Sequence, residues 1–254
     1  MTSSEIKEKL DGMKAAAAVV SEVLETLSET ARDGVSTWEL NRVAEEIAEK
    51  RSARPAFKGY MNFPCSVCVA VNEEVVHGIP SKDRVLKEGD IVGMDFGAVV
   101  KGFHGDSAIT VPVGRVAPGR ERLMKIAKES LERGIEKAHP SARLYGISGA
   151  IQSHVEKNGF SVVKAFVGHG IGKKLHEEPQ VPNFVPPGGD GSGGALLRPG
   201  MALAIEPMVN EGSPDVKTLP DNWTVVTSDG KMSVHFEHTV AITENGPEVL
   251  TMFN

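Results

Sequence analysis

The segment IVGMDFGAVVKGFHGDSAITVPV, residues 91–113, decides how this chain is read. Two apolar, β-prone runs flank Lys101-Gly102, so strands are expected over residues 90–100 and 103–113, joined as a hairpin. A carboxylate interrupts each run: Asp95 in the first and Asp106 in the second. An isolated buried carboxylate is costly unless it is paired or binds a metal. A turn centred near Val100-Lys101 sets Asp95 and Asp106 directly opposite each other. A centre one residue later makes them diagonal neighbours. Either way two like charges come close, and a cation between them would relieve the repulsion. The competing interpretation is that both acids face solvent on a half-wet sheet.

Before the hairpin, Ile6, Leu10, Met13, Ala17, Val20, Leu24 and Leu27 recur at steps of three and four and mark one helix over residues 4–31, stopped by Gly34. Ser36 and Glu39 have capping-box spacing, and Leu40, Val43, Ala44 and Ile47 give a second helix its stripe. Residues 66–71 are β-rich. After Gly114 the order starts again. Pro118 can open a helix carrying Leu123, Ile126, Ala127, Leu131 and Ile135. Leu144, Ile147, Ile151 and Val155 suggest another, ending near Gly159. Strands are expected over 161–167, 201–205 and 234–243. Helix, helix, strands, twice over, without residue-level identity, argues for an α+β fold. Residues 181–194, VPNFVPPGGDGSGG, are expected to be a Pro/Gly loop.

The 254 residues can build a sizeable core, and 40% hydrophobic with 24% charged residues excludes a disordered or collagen-like chain. Ala15–Val20 is among the longest apolar runs, far short of the roughly 18 residues of a membrane span. No signal peptide is read at the N-terminus. A net charge of −6 without a basic block disfavours nucleic acid. Two cysteines are too few for a disulfide framework, so a reducing, cytoplasmic setting is expected.

Three further polar residues stand in apolar or glycine-rich surroundings. His169 sits in GHGIG, where the glycines allow close approach by backbone or ligand. Glu206 ends MALAIEP, and Glu237 interrupts VHFEHTVAI. Two Asp, two Glu and one His form a mostly oxygen donor set that suits Mn²⁺, Fe²⁺, Co²⁺ or Zn²⁺ better than a closed structural zinc site. Four carboxylates exceed what one divalent ion needs, and two bridged ions would balance them. Cys65 and Cys68 form C-x-x-C, but no second pair completes a zinc site. GDGSGG lacks the Lys-Ser/Thr that a phosphate loop requires.

The strings NEEVVHGIP, DFGAVVKGFHGD, GHGIG with LHEEPQVPN, AIEPMVN and FEHTV resemble type I methionine aminopeptidases, in that family's order, from about residue 4 to 250. The resemblance implies the pita-bread fold, with two pseudo-symmetric αα-ββ halves, about 1–113 and 114–254, around a curved antiparallel sheet in one catalytic domain. It implies two divalent ions (Co²⁺, Mn²⁺, Fe²⁺, Zn²⁺ or Ni²⁺). Asp95 resembles a chelating ligand of one, Asp106 and Glu237 the bridging carboxylates, and His169 and Glu206 the remaining ligands of the other. His77 matches a histidine beside the substrate amine and scissile amide. His176 matches one that hydrogen-bonds the scissile carbonyl, and Glu206 doubles as a proton shuttle. Tyr60, Phe63, Cys68 and Trp223 match the methionine pocket, with Phe57 and Leu175 nearby. Asn72 and Ser233 match positions of a monovalent cation site (Na⁺ or K⁺) in some relatives. The implied reaction removes N-terminal methionine from peptides and nascent chains at the ribosome when the second residue is small. The expected protein is a monomer of the minimal bacterial form, touching neither nucleic acid nor membrane.

This sequence departs from the family at Leu175, where phenylalanine is frequent, at Cys65, where lysine is common, and in the longer 181–194 loop. The nearest rival is an Xaa-Pro dipeptidase or aminopeptidase P, which shares the five ligands but usually carries an N-terminal domain, for which the chain ahead of Asp95 leaves no room. A metal-free binding module is the second rival. Such relatives have eroded ligands, whereas all five stand here.

Overall fold

The computed structural model describes residues 2–189 and 191–253. Helices α1 (Ser3–Thr30) and α2 (Thr37–Lys50) come first. They are followed by β1 (Arg54–Pro55), a helical turn at Tyr60–Asn62, β2 (Cys68–Val71), β3 (Glu74–Val76), β4 (Ile91–Val100) and β5 (Phe103–Pro112). Then come α3 (Pro118–Ile135), α4 (Tyr145–Lys157), β6 (Ser161–Val162), β7 (Gly168–Gly170), β8 (Glu177–Val181) and β9 (Ala202–Ile205). The chain closes with β10 (Met208–Asn210), β11 (Val216–Thr218), β12 (Val225–Thr227), β13 (Ser233–His235), β14 (Glu237–Thr243) and β15 (Gly246–Val249).

Nine strands form one curled antiparallel sheet along the path β1-β4-β5-β14-β9-β7-β8, with β2 also on β4 and β15 on β14. Two three-stranded sheets, β13-β10-β6 and β11-β12-β3, flank it. Each helix pair has its own core. Val20, Leu24 and Leu27 of α1 with Leu40 and Ala44 of α2 bury against Val69, Met94 and Phe96. Leu123, Ile126 and Leu131 of α3 with Ile147 and Ile151 of α4 bury against Leu203, Ile205, Val240 and Ile242. Each such leucine or isoleucine contributes about 1.5–3 kcal/mol by leaving water. This is the α+β class expected from the element order.

Several local expectations need correction. Helix α1 ends at Thr30 with Ala31 as its cap, three residues before Gly34, which serves the following turn at φ +84°. The capping box at Ser36 is half made. The Ser36 hydroxyl accepts the Glu39 N–H, but the Glu39 carboxylate turns to the Arg42 guanidinium. A complete box stands instead at Thr2 and Glu5. The strand expected over 161–167 stops at Val162, because only Ser161 and Val162 find ladder partners on β10. The strand expected over 234–243 is two strands in different sheets, broken at Phe236, whose N–H donates to the Pro207 carbonyl. The 181–194 loop begins one residue later, since Val181 closes β8, and Asp190 lies outside the described residues. Gly193 and Gly194 of this loop pack on the Tyr145 ring.

Candidate active site

The hairpin turn settles the register. Lys101 and Gly102 both have positive φ, +51° and +81°, the pair of left-handed residues that a tight two-residue turn needs. Val100 therefore pairs with Phe103, Asp95 with Ala108 and Gly97 with Asp106. Asp95 and Asp106 are diagonal neighbours, the second of the two alternatives. Glu237, first residue of β14, also pairs with Ala108. Asp95, Ala108 and Glu237 thus form one row across three strands, and directly opposed residues share a face. Ala108 fills little of that face, which leaves space between the flanking carboxylates.

Five strands that are consecutive in the sheet each supply one acid or imidazole: Asp95 on β4, Asp106 on β5, Glu237 on β14, Glu206 just after β9, and His169 on β7. All five line one cavity of about 200 Å³. Where β5 meets β13 and β14, hydroxyls replace part of the backbone ladder. The Asp106 N–H donates to Thr239 Oγ1, which donates back to the Asp106 carbonyl. Thr110 Oγ1 holds His235 in the same reciprocal way. These clamps fix the backbone beneath the polar side chains.

The glycines beside His169 permit the close backbone approach expected of them. A Cβ at Gly168 would lie 2.3 Å from the Ala204 carbonyl oxygen, and one at Gly170 2.2 Å from that of Glu178. Neighbouring backbone makes the close approach. His169 Nδ1 lies 2.9 Å from the Gly170 carbonyl oxygen, which can only accept, so Nδ1 carries the proton. Nε2 is left with its lone pair, 3.6 Å from Glu206 Oε1.

The electrostatics are those of a site built for cations. Asp95 Oδ1, Asp106 Oδ1 and Glu237 Oε1 are buried without a hydrogen-bond partner among the described residues. One ligand atom each from Asp106, His169 and Glu237 lies within 4.8 Å of the others. Among the cavity's lining residues there is no lysine or arginine to offset the acids. Burial, opposed by His235 and reinforced by Glu206, pushes the Asp95 carboxyl up to about 7, and burial pushes Glu206 up to about 8. Burial, then the charge of Asp95, raises Asp106, and burial, then Asp106, raises Glu237, both well above the carboxylate range. Burial also drives His169 and His77 down to about 4, keeping both imidazoles neutral and fit to donate lone pairs. Four acids with three orphaned oxygens and one neutral imidazole fit a divalent-metal centre.

Around this centre stand the other expected residues. Tyr60, Phe63, Cys68, Trp223, Phe57, Leu175, His77 and His176 all line the cavity. The Phe63 and Trp223 rings meet edge to face at 5.1 Å. The Tyr60 hydroxyl lies 2.8 Å from His176 Nδ1, and the His176 ring meets that of His169 at 4.2 Å. His77 holds φ +59°, a left-handed strain unusual for a non-glycine residue, with its ring against Phe166 and Trp223. Asn72 and Ser233 are adjacent, with the Ser233 N–H donating to the Asn72 carbonyl, and protein groups engage both side chains. Sequence reasoning missed Met61, Val76, Phe166, Val167 and Met208 in the wall, and His235 beside Glu206. The signal for His235 was its spacing of two from Glu237.

The sequence profile of metallopeptidase family M24 matches residues 11–244. The chain belongs to this family. It is 53% identical over 239 residues to methionine aminopeptidase 1 of Bacillus subtilis, covering 94% of each chain. The solved methionine aminopeptidase of Thermotoga maritima superposes with a TM-score of 0.93 at 46% identity, covering 99% of this chain and 98% of that one. The prolidase of Pyrococcus furiosus shares the M24 fold at a TM-score of 0.79, but at 23% identity and with only 65% of its chain covered. Membership in M24 agrees with a divalent-metal centre at the acid cluster, and the pita-bread architecture is common to these structures.

Proposed function

We propose that this chain removes N-terminal methionine from peptides and nascent chains whose second residue is small, using two divalent ions held by Asp95, Asp106, His169, Glu206 and Glu237. The observation that carries the reading is the pairing of the five-residue acid and imidazole cluster with an apolar chamber in one cavity. At about 200 Å³ this cavity is smaller than the roughly 300–1,000 Å³ of drug-sized ligand pockets and suits a single side chain beside the reacting bond. Bound divalent ions supply Lewis acidity and a water made acidic enough to attack at neutral pH.

The protein's own groups do the rest. Asp95, Asp106, His169, Glu206 and Glu237 would hold the ions, with Asp106 and Glu237 the carboxylates expected to be shared and the others the ligands of one ion each. Tyr60, Phe63, Cys68 and Trp223, with Phe57 and Leu175 nearby, enclose the methionine side chain, and their tight wall limits the second residue to Gly, Ala, Ser, Thr, Val, Cys or Pro. With the Tyr60 O–H donating to His176 Nδ1, the remaining proton of the neutral imidazole sits on Nε2, ready to donate to the scissile carbonyl oxygen. His77 faces the substrate amine. Glu206 takes up the proton of the attacking water and passes it to the leaving amine. Newly made chains leaving the ribosome carry such ends, and two free, buried cysteines fit a reducing cytoplasm. The whole chain acts as one catalytic unit, with residues 1–113 supplying Asp95 and Asp106 and residues 114–254 the other three ligands. A monovalent cation (Na⁺ or K⁺) beside Asn72 and Ser233 belongs to the same reading.

The test is release of the first residue, followed by mass spectrometry. Metal-stripped protein receives Met-Ala-Ser, Met-Lys-Ser, Leu-Ala-Ser or Ala-Pro-Ser, with and without Mn²⁺ or Co²⁺. Methionine is expected from Met-Ala-Ser alone and only with metal. Cleavage of Ala-Pro-Ser would transfer the chain to the proline-specific branch, and no cleavage with any ion would refute the enzyme.

A further inference from the structure

Glu206 stands between two imidazoles. His169 Nε2 lies 3.6 Å from its Oε1, and His235 Nε2 lies 3.7 Å from its Oε2. The proposed ligand set accounts for His169 and leaves His235 without a task. Yet His235 is 4% exposed, its Nε2 is buried without a hydrogen-bond partner, and Asp95 is near enough to act on it electrostatically. Its backbone is the one held reciprocally by Thr110, and it pairs with Met208 of β10, just beyond Glu206-Pro207. A polar atom placed so firmly and left unsatisfied is expensive, about 1–3 kcal/mol, unless it gains a partner in the working state.

We infer that His235 is the positioning residue for Glu206: its Nε2–H donates to Glu206 Oε2 and turns Oε1 toward His169 and the ion they share. An ionised carboxylate only accepts, so the ring nitrogen facing it must carry the proton. The present separation is a few tenths of an ångström beyond a hydrogen bond, and a modest rotation of either side chain closes it. His235 thereby fixes which oxygen of Glu206 serves the ion and which stays out of the coordination shell. Partners that orient a metal's ligands in this way typically change affinity by about 10–100-fold when removed. The inference rests on the reading of Glu206 and His169 as ligands.

Two variants and one spectrum test it, with the full-length parent protein as control. Calorimetric titration of the metal-stripped parent with Mn²⁺ must first show two ions. Failure there refutes the ligand set itself and not His235's part in it. His235→Leu, similar in bulk but unable to donate, is expected to weaken one of the two ions by about 10–100-fold and to lower kcat for Met-Ala-Ser more than it raises KM. His235→Gln, whose amide N–H reaches the place of Nε2, is expected to recover most of both losses. In Zn²⁺-loaded protein labelled with ¹⁵N-histidine, the signal lost in His235→Gln is expected to be that of an Nε2 bearing a proton. Three results would overturn the inference: parental metal binding in His235→Leu, His235→Gln as weak as His235→Leu, or a ¹⁵N shift showing Nε2 unprotonated and bound to zinc. The spectrum decides the matter even if His235→Leu does not fold.

Discussion

Ala108 separates Asp95 from Glu237 in the row across β4, β5 and β14, and its small side chain keeps open the space that the carboxylates need. Ala108→Val should fill that space. The expected cost is about 1–3 kcal/mol in urea unfolding, with weaker Mn²⁺ binding by calorimetry. The carboxylates themselves give a second test. Asp95, at about 7, and Glu206, at about 8, have folded-state values above those of an unfolded chain. Groups raised in this way favour the folded state at low pH, and that contribution is lost as pH rises through the folded values. His169 and His77, held down near 4, act in the opposite sense up to about pH 6.5, so metal-stripped protein should lose thermal stability between about pH 6.5 and pH 8. Saturating Mn²⁺ should remove the slope, and Asp106→Asn should raise the stability of the stripped protein while abolishing its response to Mn²⁺. At the other side of the cavity, His176→Ala should lower kcat by about 10²–10³ as an oxyanion donor is lost. Tyr60→Phe should cost only the hydrogen bond between Tyr60 and His176, about 0.5–1.5 kcal/mol in kcat/KM.

Among the elements, legibility follows length and period. The four helices could be read because each carries several turns of apolar spacing, and the β4–β5 hairpin because ten-residue strands flank Lys101-Gly102. Asp95 and Asp106 stood out because an acid in a buried strand is anomalous wherever the register falls. The register itself could not be fixed, since a shift of one residue in the turn centre leaves the apolar pattern intact. Strands of three residues, such as β7, β10 and β13, have no period to show. The break at Phe236 was hidden for a related reason: apolar residues continue across it while the hydrogen-bond partners change from β10 to β5 and β9. His235 was hidden with it, as one of two histidines in what read as one strand. Gly170 shows the converse, a residue whose need is set wholly by a neighbouring strand. Gly170→Ala would place a methyl about 2.2 Å from the Glu178 carbonyl oxygen, and backbone cannot yield as a side chain can. A loss of at least about 1–3 kcal/mol is expected in urea unfolding, with a larger relative loss of metal binding as His169 shifts.

Across the whole molecule, two hydrophobic cores lie one under each helix pair, and a further apolar cluster with Phe57, Phe63, Cys68 and Leu175 lines the polar site. Residues 1–113 bring Asp95 and Asp106 to it, and residues 114–254 bring His169, Glu206 and Glu237. Ions bound there would tie the two halves together, so metal should stabilise the fold as a unit. At a hundredfold excess over Kd one such ion adds about 2.7 kcal/mol, visible as a single unfolding transition that moves up in temperature with metal. The most direct measurement of the central claim is anomalous diffraction from crystals soaked in Mn²⁺. The account predicts two peaks inside the cavity, with Asp106 and Glu237 touching both, Asp95 touching one, and His169 and Glu206 touching the other. A single peak, peaks held by other side chains, or none at all would contradict it.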